Sequence, residues 1–287
     1  MCKLCHRENW INLTKLTALC INNRCITLIE LPYLRELNCS GCRTLVDLPD
    51  LPNLQKLDCS NCSALTTLPE LPNLQELRCQ YCTMLATLPE LSNLRTLYCW
   101  SCTSLTTLPE FPNLQELSCW KCTSLTTLPE LSNLRRLDCW NCTSLTTLPK
   151  LPNLEILDCN NCAVLANLPK LPKLYYLNCM GCTSLTTLPK LPNLHALNCR
   201  NCRKLTSLPN NVRELYCYGC VWSKQAYFPK KKLLQYIMRL NLLRRIQRFY
   251  RRRLWRRKLD ESLAQIEYDP QRGTKVLEQY EGEPPHV

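Results

Sequence analysis

Cysteine pairs recur along most of this chain at a constant spacing. The 287 residues include 24 cysteines, and twenty of them form ten C-x-x-C pairs that run from Cys39/Cys42 to Cys217/Cys220. In the regular part of this array, sixteen residues separate one pair from the next. The pattern C-x2-C-x16-C-x2-C is typical of a zinc site with four thiolate ligands, and a chain this rich in cysteine could also be cross-linked by disulfides. Metal binding and disulfide formation are therefore the first two kinds of chemistry to consider.

The cysteine pairs belong to a longer internal repeat. Residues 31–210 divide into nine blocks of twenty without an insertion, and the average block is L-P-N-L-Q-E-L-D-C-x-x-C-T-S-L-T-T-L-P-E. Leucine occupies the fourth, seventh, fifteenth and eighteenth positions of all nine blocks. A fixed period near twenty predicts a solenoid, in which each coil buries its apolar face only against its neighbours. A degenerate block around Leu19 and a shortened block around Leu215 bring the total to about eleven coils, or roughly 50 Å of stacked strands.

The core of the unit, L-x-x-L-x-C-x-x-C-x-x-L, resembles a leucine-rich repeat. The connecting half, T-T-L-P-E-L-P-N-L, carries two prolines in most blocks, and proline disfavours a helix there. This short unit resembles the repeats of type-III-secreted bacterial leucine-rich effectors and of leucine-rich repeat proteins from giant DNA viruses of amoebae. The resemblance implies an α/β-class leucine-rich repeat superhelix of short parallel β-strands. We expect its convex side to be extended or polyproline-like, and we expect a C-terminal α-helix after the solenoid.

The repeat changes the interpretation of the cysteines. Both cysteines of each pair occupy interior positions of the coil, and their spacing simply follows the repeat period. A tetrahedral metal needs four converging thiolates, whereas a solenoid lays its cysteines in two parallel ladders. The N-terminus has no apolar segment of a signal peptide, so we expect a reducing compartment. The sequence therefore predicts a buried, reduced thiol ladder in which cysteine packs as a small apolar residue and which binds no cofactor. Oxidation in vitro could cross-link adjacent coils.

Four cysteines lie outside this ladder: Cys2, Cys5, Cys20 and Cys25. Their spacing, C-x2-C-x14-C-x4-C, could hold a zinc ion that supplies folding energy to an N-terminal cap. The segment that begins at Cys2 also matches the haem-attachment pattern C-x-x-C-H, which requires export that nothing in the sequence supports. These four thiols are also the only candidates for activated cysteine chemistry.

Side chains that alternate with the buried strand residues are candidates for partner binding. The tenth position of three successive blocks is tryptophan, and these residues are Trp100, Trp120 and Trp140. The surrounding candidates are two tyrosines and a rim of charged residues: Tyr98, Tyr81, Arg78, Lys121, Arg136 and Asp138. Contiguous aromatic residues rimmed by charge predict a protein interface. The alternative is that duplicated tryptophans stack only on each other. If the column binds a partner, we expect Trp120→Ala to weaken binding and to leave stability nearly unchanged.

The net charge of +13 comes mainly from one segment. Residues 222–259 contain fourteen lysines and arginines and no acidic residue. Residues 230–266 predict one basic amphipathic helix, because glycine and proline are absent and apolar residues recur at three- or four-residue steps. Within it, five residues resemble an IQ motif: Ile246, Gln247, Arg251, Arg256 and Leu259. The resemblance implies binding of an EF-hand protein such as calmodulin, although Arg252 stands where the family usually has glycine. A nucleic-acid or nuclear-import contact and a solvated helix that only caps the solenoid are the alternatives.

Together these patterns predict five segments and a non-enzymatic role. The segments are an N-terminal cap with a degenerate repeat (1–30), nine repeats (31–210), a shortened repeat with an exit loop (211–229), the basic helix (230–266) and an acidic, flexible tail (267–287).

With three histidines, five glycines and no phosphate-binding motif, we expect no catalysis and no small-molecule substrate. A cysteine-dependent ubiquitin-ligase-like effector is a weaker alternative, because the chain has no room for a ligase domain. No apolar run reaches the roughly 18 residues of a membrane span. We expect a scaffold that binds a protein partner in the cytoplasm, which is the host cytoplasm if the chain is viral. The alternative is a protein that associates with nucleic acid and is located in the nucleus.

Overall fold

A computed structural model describes residues 18–20, 31–209 and 212–220. These residues form one parallel sheet of eleven three-residue strands in sequence order. The strands are β1 (Ala18–Cys20), β2 (Glu36–Asn38), β3 (Lys56–Asp58), β4 (Glu76–Arg78), β5 (Thr96–Tyr98), β6 (Glu116–Ser118), β7 (Arg136–Asp138), β8 (Ile156–Asp158), β9 (Tyr176–Asn178), β10 (Ala196–Asn198) and β11 (Glu214–Tyr216). The seventh-position leucines pair with one another across the sheet, as Leu57 does with Leu77. The twenty-residue period is therefore the register of the sheet, and the predicted leucine-rich repeat solenoid is confirmed.

Three tight turns close each of the nine twenty-residue coils around its strand. In the coil that contains β3, Leu54 N donates to Leu51 O at 3.1 Å, across a turn whose second residue is proline. The C-x-x-C segment forms the next turn, in which Cys62 N donates to Cys59 O at 3.3 Å. A third turn follows directly, with Leu65 N donating to Cys62 O at 3.1 Å. These turns explain why the strands are only three residues long.

Leucine and cysteine side chains fill the interior of the coils. Leu134, Leu137, Cys139, Cys142 and Leu145 of one central coil are fully buried, and equivalent residues of the other coils belong to the same continuous cluster. Each coil repeats this set, so the core grows along the solenoid axis and stays one coil wide. Local sequence therefore decides which residues are buried in every coil.

The connecting half of each coil is extended, as the prolines predict. Neither helix nor regular strand occurs between the third turn and the next coil in residues 31–209. Backbone hydrogen bonds between neighbouring coils are sparse here; one of them joins Thr146 N to Thr126 O at 3.3 Å. The described residues contain no helix long and apolar enough to cross a membrane.

The first and last strands use a shorter spacing than the others. Leu19 pairs with Leu37, and Leu197 pairs with Leu215, so eighteen residues separate partners there instead of twenty. The degenerate and shortened repeats therefore each contribute a strand to the sheet. The rest of the predicted N-terminal cap, the predicted C-terminal helix at 230–266 and the acidic tail segment lie outside the described residues.

Candidate interaction surface

The C-x-x-C segment is a type II β-turn. Its third residue has a positive φ in each of the ten described pairs, for example +77° at Gly41 and +60° at Asn61. A positive φ at the third of four residues, with a hydrogen bond from the fourth to the first, defines this turn and favours glycine or asparagine there. Glycine or asparagine occupies that position in seven of the ten pairs. The C-x-x-C spacing therefore arises from turn geometry, which directs both thiols into the core.

Acidic and amide side chains at the eighth position hold this turn. Asn38 Oδ1 accepts a hydrogen bond from Ser40 N at 3.0 Å, and Asp58 Oδ1 accepts one from Ser60 N at 3.1 Å. This is the Asx-turn arrangement. Alternation along the strand predicted only that these side chains lie opposite the buried face. An Asx residue directly before a C-x-[NG] turn was the signal that could have revealed their structural role.

The thiols pair diagonally between neighbouring coils. Cys142 Sγ donates to Cys119 O at 3.1 Å, and the same bond joins each second cysteine to the first cysteine of the preceding coil from Cys62 to Cys220. The two thiols of such a pair also hydrogen-bond to each other; this bond and burial raise the pKa of Cys119 well above its ordinary value. The buried thiol ladder is thus confirmed, with diagonal contacts between its two rows. A buried thiol of raised pKa is a poor nucleophile.

The described residues hold no group of three or more His, Cys, Asp or Glu side chains that could bind a metal ion. Each diagonal pair brings two sulfurs together, whereas a structural zinc site needs four ligands. The proposed zinc cap is not tested by this geometry. Cys2, Cys5 and Cys25 lie outside the described residues, and of Cys20 only the backbone of β1 is described.

The three tryptophans form one continuous stack. The Trp100 and Trp120 ring centroids are 4.2 Å apart with 8° between the planes, and those of Trp120 and Trp140 are 4.4 Å apart at 9°. Tyr81 meets Trp100 edge-on at 4.5 Å. We call these four residues the aromatic column. Each is partly buried, and both faces of Trp120 are covered by its neighbours, so the column contributes to stability and presents ring edges outward.

The aromatic column lies in the C-x-x-C turns and not in the strands. Trp100 follows β5 by two residues, at the second position of its turn. The other predicted interface residues, Arg78, Tyr98, Arg136 and Asp138, belong to the strands. The site predicted as one surface therefore consists of two adjacent rows, one on the sheet and one along its edge.

Backbone strain is concentrated beside the aromatic column. Among the described left-handed residues, three are neither glycine nor asparagine: Tyr81, Ser101 and Lys121, with φ of 59°, 60° and 59°. They occupy three successive coils; Tyr81 is itself a member of the column, and Lys121 contacts it. The ammonium of Lys121 lies 5.3 Å from the Trp120 ring centroid and 5.4 Å from that of Trp140. Left-handed backbone costs such residues roughly 1 kcal/mol each, and strain of this kind clusters at functional sites.

The strand row next to the column is a network of charged and aromatic side chains. Arg78 forms an ion pair with Glu76 at 2.8 Å and lies over the Tyr98 ring at 5.5 Å. The Tyr98 hydroxyl donates to Glu116 Oε2 at 3.5 Å. Burial, and then the Glu116 carboxylate, raise the pKa of Tyr98, so this hydroxyl stays protonated at neutral pH. Farther along, Arg136 is exposed and Asp138 is partly buried.

Tyr176 was not among the interface residues predicted from the sequence. It lies on β9 in the same row, and burial followed by the charge of Asp158 raises its pKa to about 12. Its place at the sixth position of a block was the available signal. This tyrosine extends the aromatic part of the strand row beyond the three tryptophan coils.

The fold defines a class of protein, the leucine-rich repeat solenoids. No protein-family model and no curated protein matches the chain. Among solved structures, it is similar to a leucine-rich repeat protein from Bacteroides ovatus, with 16% identity and a TM-score of 0.40, covering 72% of this chain and 77% of that one.

Proposed function

We propose that this chain is a non-enzymatic interaction scaffold that binds a protein through the aromatic column and the adjacent strand row. The observation that carries the proposal is the clustering of Tyr81, Ser101 and Lys121 in left-handed backbone. Asparagine or glycine fills this position in the other coils, so stability alone favours asparagine here too. Ser101 is buried, but the side chains of Tyr81 and Lys121 reach the surface. Retaining these two strained residues is understandable if their side chains serve binding.

The geometry of the column indicates the chemistry of the partner. The stack covers the ring faces, so a partner would contact the outward indole edges. Within the described residues, none of the three indole N–H groups donates a hydrogen bond, which leaves these donors for a partner. With the exposed ammonium of Lys121 beside them, they favour a partner segment rich in carboxylate or carbonyl oxygens. Tryptophan is enriched among the residues that dominate binding energy at interfaces.

Two substitutions should separate binding from stability. The nearly unchanged stability expected for Trp120→Ala from the sequence no longer holds, because this substitution removes two ring stacks. It should lower the free energy of unfolding by about 1–3 kcal/mol. Lys121→Asn relieves left-handed strain while losing a cation–π contact, so stability should be at least that of the wild type. Both should weaken partner binding, by roughly tenfold or more for Trp120→Ala. Urea unfolding and titration calorimetry with a partner captured by the full-length chain would measure the two effects.

Leu128→Ala is the matched control, because Leu128 is buried in the same coil as Trp120 and lies outside the column. It should lower stability and leave affinity unchanged. If Trp120→Ala and Lys121→Asn also leave affinity unchanged, the aromatic column is a structural stack and the proposal fails.

We also propose the basic segment at 230–259, with its IQ-like residues, as a second contact surface. Its composition supports either an EF-hand protein or a nucleic acid, and salt should separate them. Affinity for single-stranded nucleic acid should fall by orders of magnitude between about 50 and 500 mM salt, whereas calcium-dependent capture of calmodulin should persist. Residues 1–225 alone should bind neither. Equal binding by full-length and truncated chains would remove the segment from the proposal.

The proposed location is the cytoplasm, with the nucleus as the alternative that goes with nucleic-acid binding. The resemblance of the repeats to bacterial effectors and to giant-virus proteins supports a role inside a host cell. Imaging of the tagged full-length chain in a eukaryotic host would distinguish cytoplasmic from nuclear accumulation.

A further inference from the structure

A single charged column runs along the connecting half of the coils, away from the aromatic column. It consists of the last residue of each block, and all eight described members are exposed: Asp50, Glu70, Glu90, Glu110, Glu130, Lys150, Lys170 and Lys190. Equivalent residues of neighbouring coils are about one strand spacing, roughly 4.8 Å, apart. None of the eight forms an ion pair within the described residues. The column is therefore a row of like charges exposed to solvent.

The sign of the charge changes once along this column. The five members at the N-terminal end are acidic and the three at the C-terminal end are lysine. The change falls between nearly identical coils, since residues 125–130 are L-T-T-L-P-E and residues 145–150 are L-T-T-L-P-K. Nothing in the local packing distinguishes these coils, because Leu128 and Leu148 are buried to the same degree, 7% and 8% exposed. Coil folding therefore does not explain the change of sign.

The residues that flank the column are short and mostly uncharged. On one side lie exposed threonine pairs such as Thr126 and Thr127, and on the other lie turn residues such as Pro112 and Asn113. Among the described residues at these positions, long side chains occur only at Tyr33 and Lys173, and the Lys173 ammonium donates a hydrogen bond to Asn153 Oδ1 at 2.7 Å. A flat partner that carries its own row of charges could therefore come within ion-pair distance.

We propose that this column is a self-association surface that pairs two copies of the chain in antiparallel orientation. A two-fold axis between the coils of Glu130 and Lys150 places Glu130 against Lys150 of a second copy. The same axis places Glu110 against Lys170 and Glu90 against Lys190, so symmetry gives six ion pairs. A two-fold interface must be self-complementary, and a column that is acidic in one half and basic in the other meets that condition.

A second copy explains the column better than an unrelated partner does. A basic partner would use only the five carboxylates and would gain nothing from the lysines that continue the row. Any other partner would need its own change of sign at the matching coil, whereas an antiparallel copy carries one by construction. Exposed ion pairs are individually weak, so we expect a salt-sensitive dimer with a dissociation constant in roughly the micromolar range.

Charge reversal tests this surface on the full-length chain. One triple variant makes the column wholly acidic by replacing its three lysines with glutamate: Lys150→Glu, Lys170→Glu and Lys190→Glu. A second triple variant makes residues 90–190 of the column wholly basic: Glu90→Lys, Glu110→Lys and Glu130→Lys. In sedimentation equilibrium at about 50 mM salt with a thiol reductant, the wild type should dimerise. Each triple variant should dimerise at least about tenfold more weakly. An equimolar mixture of the two triple variants, and the variant with all six changes, should recover dimerisation.

Weaker dimerisation of the lysine-to-glutamate variant could not be explained by repulsion between two chains of net positive charge. The lysine-to-glutamate variant lowers the net positive charge, so weaker overall repulsion would strengthen association, whereas the proposal requires the opposite. A wild type that remains monomeric at roughly 100 μM, or triple variants that dimerise as the wild type does, would overturn the proposal. Failure of the mixture to associate would also overturn it. Partner binding through the aromatic column should be unchanged in all variants, which separates this test from that of the proposed function.

Discussion

Raising the pH above about 9 is expected to unfold the solenoid over a narrow range. The cause is the thiol ladder, because the first cysteine of a diagonal pair keeps its proton in the folded chain. The hydrogen bond that each of these thiols donates to its partner thiol, together with burial, raises the pKa well above the ordinary value of 9.0 at Cys59, Cys79, Cys99, Cys119, Cys139, Cys159 and Cys179. The unfolded chain loses these protons near pH 9, and mass action then favours unfolding.

The sign follows from proton linkage. Stability falls with rising pH wherever the unfolded state binds fewer protons than the folded state, which here begins at the thiol pKa of the unfolded chain. Each retained proton contributes about 1.4 kcal/mol per pH unit, so seven thiols give a slope on the order of 10 kcal/mol per pH unit. This slope is comparable to the whole stability of a typical domain. Among the second cysteines, the hydrogen bond from the partner thiol lowers the pKa of Cys62 and Cys122, which raises stability slightly as pH approaches 9 from below.

Urea unfolding at steps from about pH 7.5 to about pH 10, with a phosphine reductant present, would measure the slope. Cys139→Ala is the matched control, because it removes one raised thiol and should reduce the slope above pH 9 by one proton. A free energy of unfolding that stays constant between about pH 8.5 and pH 9.5 would contradict a ladder of buried protonated thiols.

Gly181→Val is expected to cost about 3 kcal/mol or more of stability. Gly181 is the third residue of its C-x-x-C turn, with a φ of +71°, and an added Cβ would lie 2.2 Å from Asn161 Oδ1. Left-handed backbone is a strong outlier for a β-branched residue. The branch would also have to displace the amide of Asn161 in the preceding coil.

Gly181→Asn is the matched comparison at the same site, because it adds a Cβ but suits left-handed backbone. Asparagines already follow one another at this turn position in Asn141 and Asn161, so an asparagine side chain can be accommodated beside the preceding one. The expected loss for Gly181→Asn is below about 1 kcal/mol. Thermal unfolding of both variants would measure the difference. Equal losses would show that steric overlap dominates and that the left-handed turn is not the controlling feature.

The periodic parts of the fold were predictable because each coil repeats the same strand, turns and buried positions. Leucine at fixed positions identified the strand and the buried face, and proline in the connecting half identified its extended backbone. Asparagine or glycine at the third position of most C-x-x-C segments also indicated a type II turn. The cysteine spacing suggested a metal site first, so this indication was not used. The sequence placed Trp100, Trp120 and Trp140 at the same position of three successive coils, and they do stack. It did not place them in the turns, because strand alternation was extended beyond the last strand residue.

The sequence alone determined the repeat, the sheet register and the inward-facing leucines and cysteines, because these depend on contacts within one coil and on an unbroken period of twenty. Only the tertiary structure decided how side chains of different coils meet. The diagonal bond of Cys142 to Cys119 joins residues 23 apart, and the Trp120 stack joins residues of three coils. Those contacts depend on side-chain direction across the gap between coils, which composition and spacing do not specify. For this reason the thiols could be assigned to the core from the sequence, whereas their diagonal pairing and the covered faces of the tryptophans could not.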